Sequence, residues 1–226
     1  HKAWPKHLCD LLQFEHCNLS DSGASAHRIV RTTMRYILDQ FKQKKNLKDH
    51  FFIIMWPGMH RDELHVPKNA TDDEKEMFYD DDWLPLIVGN DESYKSHFSH
   101  RFYTYYKSWV VCGEKVKRQM DYIHHIILLQ NFFIMYKIKY LFWNAAHSPV
   151  DFNDNHLKGY SGLIFKKNYP FIQDVNQSFT VLMENNNQKI SEHSMASGFS
   201  SHYDEKAQVW FANYLYEYIN SHTLLS

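Results

Sequence analysis

Six consecutive apolar residues, Phe51 to Trp56, constrain the fold of this chain more than any other feature. An unbroken run of that length reads as a strand covered on both faces, because a strand with one face in water alternates between apolar and polar residues. Pro57-Gly58 then ends it. Upstream, Val30, Thr33, Ile37, Leu38 and Phe41 trace one face of a helix from about His27 to Lys42. Downstream, a long helical region broken near Gly113 extends to about Tyr136, and Tyr140 to Asn144 has the composition of the next strand. Strands alternating with helices predict an α/β fold with a parallel, doubly wound sheet. At 226 residues the chain has the length of one such domain.

The remaining elements are read in the same way. Trp4, Leu8, Leu11 and Leu12 recur at helical spacing, and Glu15 to Leu19 is expected to be a short strand entering the turn Ser20-Asp21-Ser22-Gly23. The acidic stretch from roughly His60 to Ser99 is expected to be irregular, as part of an insertion over about 60–115 that forms a lid or wall of a cleft. A helix is expected around Pro170 to Met183. In the last helix Ala207, Trp210, Phe211, Tyr214, Leu215 and Tyr218 follow the i, i+3, i+4, i+7 pattern, and Asp204 and Glu205 suit its positive end.

Composition narrows the classes of function. With 25 Lys and Arg against 26 Asp and Glu, no electrostatic pull toward nucleic acid or an anionic membrane is expected. The most apolar stretch, Ile123 to Trp143, is interrupted by His124, His125, Gln130, Asn131, Lys137 and Lys139, which is unlike a membrane span. The first residues show no signal-peptide pattern, so a cytoplasmic location is expected. Cys9, Cys17 and Cys112 are too few and scattered for a disulfide framework or a Cys-rich zinc site. The close histidine pairs, His60 with His65, His97 with His100 and His124 with His125, lack the His-Glu-x-x-His spacing. Neither a metal nor a cofactor is expected.

Four segments, taken in order, resemble the blocks of SGNH-type (GDSL-like) hydrolases of large phages and marine viruses. Asn18 to Arg31 is similar to the second block, Phe52 to Glu63 to the third, Tyr122 to Ala145 to a later helix and strand, and Ser201 to Ala212 to the last. The resemblance implies a three-layer α/β/α fold with a parallel flavodoxin-like sheet. It further implies a serine esterase or acylhydrolase acting on a small molecule or an acylated carbohydrate. By the same comparison, Gly23 lends its N–H to the oxyanion hole and His202 is the general base. Ser25, Arg28, Trp56, Arg61 and Asn144 are the expected substrate-binding residues.

The pattern is also broken in places. Ala26 stands where the related proteins usually have Asn, Tyr203 where they have Pro, and Phe199 where they have the Asp that orients the base. The first block, with its Gly-Asp-Ser or Gly-Cys-Ser turn, has no counterpart ahead of the Trp4–Leu12 helix. The chain is therefore expected to lack the sheet's first strand, leaving Glu15–Leu19 and Phe51–Trp56 roughly 10 Å apart, and to be inactive as it stands. One alternative makes Ser20-Asp21-Ser22-Gly23 that turn, with Ser22 as nucleophile. Another is a non-catalytic carbohydrate-binding or virion-associated module on the same fold.

Overall fold

The computed structural model describes residues 3–20, 24–65, 83–89, 92, 94–95, 99–113, 115–145, 154–160, 163, 171–172, 178–188 and 203–225. In chain order these form α1 (Trp4–Leu12), α2 (Ala26–Lys42), β1 (Phe51–Trp56), β2 (Arg61–His65), β3 (Trp83–Ile87), α3 (His100–Cys112), α4 (Lys115–Tyr136), β4 (Lys139–Asn144), β5 (Phe171–Ile172), α5 (Phe179–Asn185) and α6 (Glu205–Ser221). The protein is a mixed α/β structure.

β1 pairs in parallel with β4 from Phe51↔Lys139 to Trp56↔Asn144, and β4 pairs in parallel with β5 through Phe142↔Phe171 and Trp143↔Ile172. Side chains alternate across a strand, so each face of this sheet carries its own core. Phe52, Ile54, Trp56, Tyr140 and Phe142 join Val30 and Ile37 of α2 and Ile123, Ile126, Leu129 and Phe133 of α4. Phe51, Ile53, Met55, Leu141 and Trp143 instead meet Leu8 of α1, Met183 of α5 and Phe211 and Leu215 of α6. The unbroken apolar runs of β1 and β4 follow from this two-sided cover.

Caps fix where the helices begin. The Ser25 hydroxyl accepts the Arg28 N–H at 3.0 Å at the start of α2, and the Asp204 carboxylate accepts the Ala207 N–H at 2.8 Å at the start of α6. Asp204 therefore precedes the final helix as its cap and does not belong to its first turn. Asp204→Ala is expected to cost about 1 kcal/mol, seen as a lower urea midpoint with an unchanged m-value. Between α3 and α4 the Arg118 Nη2 donates to the Trp109 carbonyl at 2.8 Å, and its guanidinium lies 4.5 Å from the Trp109 ring centre. That contact holds the break near Gly113.

Three expectations are corrected. Glu15–Leu19 forms no strand. Polar residues interrupt it, and the Asn18 Oδ1 accepts both the Ser20 N–H at 3.1 Å and the Ser20 hydroxyl at 2.7 Å, a local turn that competes with a ladder. Around Pro170, Phe171–Ile172 is strand, and the helix starts only at Phe179 behind the Ser178 cap. Pairing with Phe142 and Trp143 outweighs local propensity there. The segment read as irregular from His60 holds the antiparallel pair of β2 and β3, with register Arg61↔Ile87 to His65↔Trp83. Leu84 and Leu86 of that pair build a small core with Tyr94 and Tyr106.

Among the described residues no helix is long and apolar enough to cross a membrane.

Candidate functional site

The parallel strands β1 and β4 finish side by side at Trp56 and Asn144, and the chain leaves the sheet there. Strand C-terminal ends are where open α/β sheets hold ligands. The Ala145 N–H donates back to the Trp56 carbonyl at 2.8 Å. The Ala145 carbonyl in turn accepts the Thr180 N–H at 3.2 Å and hydroxyl at 2.9 Å, which fastens the start of α5 beside the end of β4. Ala26, at the start of α2, belongs to the same core as Trp56, Tyr122 of α4 and Leu157. Two helix starts and two strand ends thus frame one edge of the sheet.

Four of the five expected binding residues are buried. Ser25, Arg28, Trp56 and Asn144 are 1%, 9%, 0% and 6% exposed. Ser25 is committed to the α2 cap. The Trp56 Nε1 and the Tyr122 hydroxyl are both buried and find no hydrogen-bond partner among the described residues, although their rings lie edge-on 6.1 Å apart. Burial pushes the Tyr122 phenol well above its ordinary value, so it stays a neutral donor. Buried donors of this kind are satisfied in folded proteins by chain, ordered water or ligand.

Arg61, the fifth, is exposed on β2 and stands apart from these four in its environment. Gly23, Ser22, Phe199 and His202 lie outside the described residues. Tyr203, next to the expected base, packs edge-on against Phe179 at 5.5 Å.

Sequence reasoning missed a charged cluster beside this edge. Glu63, on the inward position of β2, has a side chain with 0% exposure and receives a two-pronged contact from Arg31 of α2, Nε to Oε1 and Nη2 to Oε2, each at 2.8 Å. The His27 Nδ1 lies 3.3 Å from the same Oε1. Arg31 also lies 4.4 Å from the centre of the Trp83 ring, and His27 touches that ring edge-on at 5.3 Å. Glu63 is therefore bound to Arg31 of a neighbouring element, in place of the solvated pair with Arg61 that proximity in sequence suggests. One signal was available, since His27 and Arg31 are four apart on one helical face.

His125 of α4 completes the cluster, with its ring centre 5.5 Å from that of His27 and its Nδ1 2.6 Å from the Asp121 carbonyl oxygen. Desolvation holds its imidazole below the ordinary histidine range, against the opposing pull of the Asp121 hydrogen bond.

A family described as "Family of unknown function (DUF6071)" matches residues 1–164, which include α1 through β4 and the whole of this cluster. No curated protein matches the chain. No solved structure matches it either.

Proposed function

We propose that this chain, which belongs to the DUF6071 family, a family of unknown function, is an SGNH-type serine ester hydrolase domain. In this reading it has a three-layer α/β/α fold with a flavodoxin-like sheet, and it takes a small or carbohydrate-borne acyl ester. The parallel pairing of β1 with β4 is the observation that supports this most. It sets the ends of the third block and of the later helix-strand block next to each other, beside the start of α2, at the edge where such a site belongs.

The residue roles follow the family pattern. His202, just ahead of α6, takes the proton of the attacking serine and returns it to the leaving group. Gly23 donates its N–H to the developing oxyanion. By the same pattern Trp56, Asn144 and Arg28, all buried at this edge of the sheet, are the substrate-binding residues. The serine is either Ser22 or one in a segment ahead of α1.

A fluorophosphonate, which bonds covalently to an activated serine, tests this. It should be applied to the chain as it stands and to the chain with the coding sequence immediately ahead of it restored. Covalent labelling of Ser22, or of a serine in the restored segment, supports the hydrolase. Absence of labelling in both proteins overturns it in favour of the second reading, a non-catalytic binding or virion-associated module. The Tyr203 contact with Phe179 favours that second reading, because it gives the residue that replaces the family's Pro a packing role.

A further inference from the structure

His27 and His125 stand 98 positions apart in the sequence and come together only because α2 packs on α4. Both rings are already held by the protein through Nδ1. In His27 the partner is Glu63 Oε1 at 3.3 Å, a carboxylate that Arg31 pins in place. In His125 the partner is the Asp121 carbonyl oxygen at 2.6 Å. A carbonyl oxygen only accepts, so the His125 Nδ1 carries the hydrogen, while Glu63 stands beside the His27 Nδ1 as an ionic partner. In the neutral His125 ring that leaves Nε2 with its lone pair. Imidazoles that bind metals are prepared in this way, with the far ring nitrogen donating to a carboxylate or a backbone carbonyl.

The spacing also fits. Two imidazoles bound to one zinc ion through nitrogens at 2.0–2.1 Å, at a tetrahedral angle, place their ring centres about 5.2 Å apart. Those of His27 and His125 are 5.5 Å apart, with the planes inclined by 44°. We infer that His27 and His125 form a two-histidine site for one divalent first-row ion of the zinc class, bridging α2 and α4. Among the described residues no group of three or more such ligands gathers, so water completes the coordination. The side chain of His27 is 38% exposed, which gives the ion a path in. Imidazole nitrogen selects this class of ion over magnesium or calcium, which prefer oxygen. The inference stands apart from the hydrolase reading.

Calorimetric titration of zinc chloride into the full chain tests it, with His27→Ala, His125→Ala, the double variant and His124→Ala as comparisons. The wild type should bind one ion at this site, and each single change should weaken that binding about tenfold or more. The double variant should lose little beyond either single one, because the two rings act as a unit. His124, whose ring instead contacts Tyr160 at 5.7 Å, should be replaceable within about twofold. Equal binding by the wild type and the double variant would overturn the site, as would an effect of His124→Ala as large as that of its neighbour. Nitrogen-15 spectra of the histidine rings give a second reading on the unmutated protein. Zinc should shift the Nε2 signals of both residues while both Nδ1 stay protonated, and metal on either Nδ1 would contradict the arrangement.

Discussion

Arg31→Met is expected to destabilise the protein by about 4 kcal/mol and Glu63→Gln by less, about 3 kcal/mol, both falling in the range for breaking one side of a buried ion pair. The asymmetry comes from burial. Removing Arg31 strands a carboxylate with 0% exposure, whose remaining neighbour is His27 at 3.3 Å. Removing the Glu63 charge leaves a guanidinium that is 18% exposed and still lies over Trp83, so part of its charge remains solvated and part faces a ring. Arg31→Met with Glu63→Leu should cost less than Arg31→Met alone, since an apolar pair leaves no orphaned charge. Urea unfolding of the four proteins measures this. Equal and small losses would mean that the contact is worth no more than a surface pair.

Phe211→Ala is expected to cost about 3–5 kcal/mol, the usual range for removing a fully buried aromatic ring. Phe211 has 0% exposure and is the meeting point of four elements. Its ring lies 5.4 Å from that of Trp4 in α1, 5.6 Å from Trp143 in β4 and 4.6 Å from Phe179 in α5. Three bulky aromatic neighbours on three separate elements cannot collapse into the space together, so a cavity remains and its surface adds to the lost transfer energy. Val209, two positions away and 37% exposed, serves as the control. Val209→Ala should stay within about 0.5 kcal/mol. Thermal and urea unfolding would show the contrast, and similar losses at both positions would contradict the packing described for α6.

These two cases show how far the sequence could be read. The 51–56 strand and the final helix were legible because each is built on a single local pattern, a continuous apolar run in one and 3.6-residue spacing in the other. Glu15–Leu19 was misread because a short mixed segment next to a turn signal does not distinguish a strand from an Asx-type turn, and Asn18 decided it. Phe171–Ile172 gained its pairing from β4, which no local pattern records. At the candidate site, Trp56 and Asn144 could be anticipated as strand ends. The partnership of Glu63 with Arg31 could not, because it joins a strand to a helix across 32 positions, while the nearer Arg61 is exposed. The pairing of His27 with His125 depends on the packing of two helices, which no local spacing records.

The central claim, an SGNH-type hydrolase with His202 as its base, is tested most directly by kcat/KM on a short p-nitrophenyl ester. The measurement uses the chain with the coding sequence ahead of it restored, and compares it with the His202→Ala variant. A serine nucleophile and its base act as a unit, so the account predicts a loss of about 10³-fold or more in the variant. Activity that survives the His202 change would contradict the account, and so would a restored protein that hydrolyses the ester no faster than buffer.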